Sequence, residues 1–246
     1  MPGPSIWPLN RDRIILLAGS AVITAVAWLY MVRMAAGHAR MSMDVGALFA
    51  MWTVMMVAMM LPSTLPFVLV FRAEQVHRQA RHAPMTPVGL FIAGYFAVWI
   101  VFSAACALLQ QVLHHEAMLS PMMSAASPVF AGAILMAAGV YQWTPMKNAC
   151  LRHCRSPLTF LLSDWREGAA GAFRMGAGHG LFCVGCCWML MLLPFAAGVM
   201  NLLWMAGITV LLLLEKAAPG GEWTARVCGA LLALAGVYVM YSGIAL

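Results

Sequence analysis

GHGLFCVGCCWMLMLLPFAAGVMNLLWM, residues 178–205, closing as LLLLEK at 211–216, decides how this chain folds. The run is too apolar for anything but a membrane-embedded segment, and it carries His179, Cys183, Cys186 and Cys187 within it. At about 100° per residue of helix, His179, Cys183 and Cys186 fall within an arc of about 60°, with Cys187 beside them. Thiolate and imidazole sharing one face suit Cu(I), zinc or a redox couple, and they suit Mg or Ca poorly.

The rest of the chain has the same character. Of 246 residues, 63% are hydrophobic and 9% charged, and the mean hydropathy is +0.87, well outside the range of soluble domains with about 25% charged residues. We read one all-α unit over residues 1–246, a polytopic transmembrane helical bundle. Apolar stretches near the ~20 residues that cross a bilayer run over about 14–35, 46–71, 88–113, 126–143, 174–198, 200–216 and 225–245. That is about seven spans, or six plus a re-entrant segment, since only Val199 and Met200 separate the fifth from the sixth.

With seven spans, twelve of the fourteen Lys and Arg collect on one side, and Arg33 and Arg40 alone lie on the other. Because cytoplasmic loops retain basic residues, the expected orientation has the N-terminus in the cytoplasm and the C-terminus in the periplasm. The net charge of +6 is then topology and implies no nucleic acid. The first span lacks a signal-peptide cleavage pattern and is expected to remain as an anchor.

Cysteine usage fits a reduced compartment. Cys150, Cys154, Cys183, Cys186 and Cys187 fall on or near the inferred cytoplasmic half, where thiols persist and bind metal, while Cys106 and Cys228 read as packing residues. The cytoplasmic loop 144–172 opens inside YQWTPMKNACLRHCRSPL (141–158). Its Cys150, His153 and Cys154 stand at i, i+3 and i+4, close enough for one turn to present all three to an ion. Lys147, Arg152 and Arg155 are expected to favour their thiolates. A zinc site needs four ligands, so His179 or Cys183 completes it, or the site is a two- to three-coordinate Cu(I) station.

Two more stretches offer soft ligands. In MWTVMMVAMMLPSTLPFVLVF (51–71), Met51, Met55 and Met59 repeat every four residues on the side that also carries Pro62 and Pro66. Each proline frees a carbonyl four residues back, at Ala58 and Pro62, which predicts a kinked or broken helix in mid-membrane. Outside, HARMSMD (38–44) brings His38, Met41, Met43 and Asp44 together, and HHEAMLSPMM (114–123) adds a weaker set. Thioethers survive on an oxidising surface and suit Cu(I).

Glycines 168, 171, 176, 178 and 180 leave room for another helix against His179 and Cys183, and Gly229, Gly236 and Gly243 make the last span a packing helix. Glu215 and Lys216 read as a mutually compensated anchor at a membrane boundary.

The combination of MWTVMMVAMMLPSTLP, YQWTPMKNACLRHCRSPL and HGLFCVGCCWMLMLLPFAAGVMNLLWM through LLEK resembles a bacterial family of integral membrane proteins catalogued as a domain of unknown function. That family is described as predicted metal-binding, with some members labelled copper chaperones. The resemblance covers nearly the whole chain from the second span onward. It implies metal handling, copper first, in a bacterial inner membrane, and it supports Cys150, Cys154, Cys183, Cys186 and Cys187 as motif positions. No nucleotide motif is present, so the expected partners are the lipid bilayer, a metal ion and a copper-receiving protein. We expect no enzyme. The alternatives are zinc as the ion, a membrane thiol–disulfide oxidoreductase using Cys183 and Cys186, and a structural membrane protein without metal.

Overall fold

The computed structural model describes residues 10–37, 44–82, 84, 86–120 and 124–244, and all regular structure among them is helical. Helices α1 (Asn10–Ala36), α2 (Val45–Gln79) and α3 (Val88–His115) are followed by α4 (Pro128–Tyr141), α5 (Pro145–Arg155) and α6 (Pro157–Ser163). Then come α7 (Gly168–Cys187), a 3-10 turn at Leu190–Leu192, α8 (Leu193–Ala197), α9 (Leu202–Ala217) and α10 (Gly221–Ile244). Among the described residues, four helices, α1, α2, α3 and α10, are long and apolar enough to cross a membrane. Two bent pairs, α4 with α5 at 64° and α7 with α8 at 70°, raise that number to six if each pair is one span. With 16 residues, α9 spans about 24 Å, short of the ~30 Å of a hydrocarbon core.

Helix ends are set by local chemistry. The Asp44 carboxylate accepts from Gly46 N at 3.0 Å and Ala47 N at 3.4 Å, capping α2, so its role here is structural. Ser127 and Thr144 cap α4 and α5, each followed by a proline that needs no donor at the first helical position. At the far end of α9, Arg155 donates to the carbonyls of Glu215 (2.9 Å), Ala218 (2.7 Å) and Pro219 (3.0 Å), which satisfies acceptors left open where a helix stops.

Of the kink or break expected in α2, the break does not occur. Val45–Gln79 is one continuous helix through Pro62 and Pro66. The reason lies partly in α1: the Trp28 indole donates to the Ala58 carbonyl at 3.2 Å, replacing the bond that Pro62 removes. Trp28→Phe is therefore expected to cost about 1 kcal/mol, the worth of one hydrogen bond, in thermal unfolding of the purified protein. The prolines stay where the helix needs no local break, and Met51, Met55 and Met59 line its buried side.

Glycine governs two helix crossings. A side chain on Gly176 would overlap the Phe91 carbonyl, one on Gly94 the Phe173 carbonyl, and one on Gly180 would come to 3.0 Å from the Tyr95 carbonyl. Thus α3 lies directly on α7. On the other side, Gly236 meets the Gly132 carbonyl and Gly229 the Gly139 carbonyl, with Gly243 over Pro128, and this seats α10 on α4. One large apolar core joins Met51, Met55, Met59, Tyr95 and Trp99 to Cys154, Cys183, Cys186 and Cys187. The outside stays apolar, as at Val101, Leu203 and Tyr238, each more than 70% exposed.

Candidate metal centre

The last two turns of α7 bring three sulfurs together. Sγ of Cys183, Cys186 and Cys187 lie within 4.8 Å of one another, and all three residues are buried. The i, i+3, i+4 spacing places them on one helical face. Cys186 Sγ and Cys187 Sγ donate to the Cys183 carbonyl at 3.1 and 2.9 Å. All seven cysteines are free.

Cys183 differs from its neighbours. Its sulfur receives the Lys216 ammonium at 3.1 Å and stands 3.1 Å from the Tyr95 hydroxyl. Lys216 also donates to Ser63 Oγ at 3.0 Å, on the turn of α2 between the two prolines. An ammonium at this distance supplies the counter-charge that a buried thiolate requires. The crossing of α3 over Gly176 and Gly180 is what delivers Tyr95.

Helix α5 adds two further thiols. Cys154 Sγ lies 3.9 Å from Cys186 Sγ, so Cys186 faces α5 as well as its own helix. Cys150, half-buried, lies over Gly185, where an added methyl carbon would come to 2.7 Å from its sulfur. Glycine in the C-x-x-C motif is thus the seat for the α5 thiol. The Tyr141 hydroxyl donates to the Gly185 carbonyl beside it.

The basic residues expected to activate Cys150 and Cys154 are engaged elsewhere. Lys147 Nζ is fully buried against Glu215 Oε2 at 2.7 Å, Arg155 clamps the end of α9, and Arg152 Nε donates to the Asn148 carbonyl at 3.3 Å. Nor do Glu215 and Lys216 form a direct pair, because consecutive helical residues point about 100° apart. Glu215 faces Lys147 and Gln142, the latter donating at 3.2 Å, while Lys216 faces the thiols.

Neither His179 nor His153 belongs to the group of sulfurs within 4.8 Å of one another. His179 is buried and stacks on Phe67 at 3.7 Å between ring centroids, with Tyr95 at 5.3 Å, and its Nδ1 has no hydrogen-bond partner among the described residues. His153 is exposed, lies parallel to Phe182 at 4.2 Å, and directs Nδ1 to the Ala149 carbonyl at 2.9 Å. His38, Met41 and Met43 lie outside the described residues, and His114, His115 and Met118 are exposed at the end of α3 and just beyond it.

A family model described as PpoB2: Copper chaperone matches residues 49–239. The chain belongs to the PpoB2 family. The match takes in the Met face of α2, both cysteine groups and the Glu215–Lys216 pair. No curated protein and no solved structure matches the chain. Three buried thiols that are able to hold a metal ion, in a family labelled copper chaperone, point to metal binding by this PpoB2 protein.

Tyr95, Ser63 and Lys216 are the partners that motif reading passes over. Lys216 carried a signal, a lysine at the end of an apolar run, but its target lies 33 residues away. Tyr95 carried none, since a tyrosine in an apolar helix looks like any interface aromatic.

Proposed function

We propose that this protein sits in the bacterial inner membrane, N-terminus in the cytoplasm and C-terminus in the periplasm, and binds Cu(I) there for delivery or transfer. The three convergent sulfurs of Cys183, Cys186 and Cys187 carry this reading. Cys154 stands beside them as a fourth. Buried soft thiolates with no carboxylate among them favour Cu(I), which accepts two or three such ligands, over hard ions. With two thiolates Cu(I) carries a net charge of −1, and the Lys216 ammonium brings the buried site to neutrality. Zinc would require all four sulfurs and leave a larger uncompensated charge. Arg72 paired with Asp12 at 2.5 Å supports placing the start of α1 and the later part of α2 on one side of the membrane, and the excess of basic residues there favours the cytoplasmic one. Met51, Met55 and Met59, within the same core, are the proposed thioether contacts on the membrane side, and His38, Met41 and Met43 the collecting ligands outside. The bilayer and a copper-receiving protein are the expected partners.

The test is metal analysis of the purified protein, loaded with Cu(I) under reducing conditions, beside Cys183→Ser/Cys186→Ser. We expect about one Cu(I) per wild-type chain and less than about a tenth of that in the double variant, because it removes both the sulfur paired with Lys216 and the sulfur that joins the α7 group to Cys154. A wild-type protein that takes up no Cu(I) overturns the proposal.

A further inference from the structure

The buried sulfurs need a route to the surface, and α5 supplies a graded one. His153 is exposed, Cys150 half-buried and Cys154 buried, all within five residues of the same helix. Cys154 already lies 3.9 Å from Cys186, and Cys150 rests on Gly185 between Cys183 and Cys186. A carbonyl only accepts, so Nδ1 of His153 carries the proton in its 2.9 Å contact with the Ala149 carbonyl. With Nδ1 taken by that carbonyl, Nε2 is the nitrogen left to meet an ion, in an exposed ring held flat against Phe182. Metal-binding imidazoles are oriented in this way, one nitrogen tied to a backbone carbonyl and the other directed at the ion.

Beside this ring is an open cavity of about 220 Å³ lined by Arg152, His153, Ser156, Thr159, Phe160 and Ser163. The remaining Arg152 guanidinium nitrogens, whose Nε is taken by the Asn148 carbonyl, and the hydroxyls of Ser156 and Thr159 make it a seat for a small anion, while the Ser163 hydroxyl donates to the Phe160 carbonyl. Resting on the Cu(I) reading above, we infer that His153 and Cys150 form the entry station at which an anionic low-molecular-weight thiol hands Cu(I) to the buried cluster. The Cu–S bond to the carrier breaks as a bond to Cys150 Sγ forms, and the Cys150 thiol proton passes to the departing thiolate. Copper stays Cu(I) and no electron moves. Cys154 and Cys186 then take the ion inward by the same exchange.

Entry ligands set the rate of loading, while the buried sulfurs set its extent. The experiment follows Cu(I) uptake from the Cu(I)–glutathione complex by the full-length protein, comparing wild type, Cys150→Ser/His153→Gln and, as a thiol control, Cys228→Ser on α10. The double variant is expected to load at least about tenfold more slowly, since a positioned exchange partner has been removed, and to reach the same final Cu(I) per chain. Cys228→Ser is expected to load at the wild-type rate. Wild-type kinetics in the double variant overturns the inference, and so does a lowered final occupancy, which makes the pair resident ligands. If the double variant fails to fold, His153→Gln alone, an exposed substitution, decides by the same rate criterion. Failure of the wild type itself to load overturns the Cu(I) reading, a result distinct from either of these.

Discussion

Glu215→Leu is expected to destabilise the protein by about 3–5 kcal/mol, because it leaves the Lys147 ammonium buried without a counter-charge. Lys147 is fully buried, and its ammonium is directed at Glu215 Oε2, 2.7 Å away. Gln142 also loses the acceptor of its amide. The companion result separates charge burial from packing. Lys147→Met/Glu215→Leu removes both ions and fills a similar volume, and such replacements are usually neutral or stabilising. Thermal unfolding of the two variants in the same detergent checks the pair. Similar, large losses in both would mean that the ion pair is not the source of the effect.

The second large effect comes from a residue with no side chain. Gly176→Leu is expected to cost about 3 kcal/mol or more, since even its first carbon would overlap the Phe91 carbonyl and backbone has nowhere to go. To admit a leucine, α3 must leave α7, and Tyr95 then leaves Cys183. The variant should therefore lose both thermal stability and Cu(I) loading. Gly207 in α9 is the internal contrast: nothing lies within 4 Å of an added methyl carbon. Gly207→Ala is expected to be neutral or to stabilise by up to about 1 kcal/mol, the helix preference of alanine over glycine.

Much of this arrangement was legible in the sequence. Apolar length marks the long helices because an apolar run that long has no other stable environment. Spacing alone puts Cys183, Cys186 and Cys187 on one face, and the small residues before them announce a close crossing. What escaped depended on distant partners. Pro62 predicts a break only while the Ala58 carbonyl is taken to be unpaired, and Trp28 lies 30 residues upstream. Glu215 and Lys216 look like a couple until Lys147, 68 residues away, claims the carboxylate. His179 shares the arc of the cysteines, and its ring stacks on Phe67 from another helix, a contact that spacing along α7 does not announce. Helical phase is local information, whereas partner choice is tertiary.

The adjacency of Glu215 and Lys216 has a mechanical consequence. Helix α9 is indexed at two neighbouring positions by unrelated partners, an ammonium on α5 and a sulfur on α7. Screwing the helix forward by one residue would bring a carboxylate against the thiols and a leucine against Lys147, so both mismatches oppose the same slip. The electrostatic sign presented to the sulfurs is thereby fixed by helix phase before any ion arrives, much as a key with two adjacent teeth fits its lock in one rotation only.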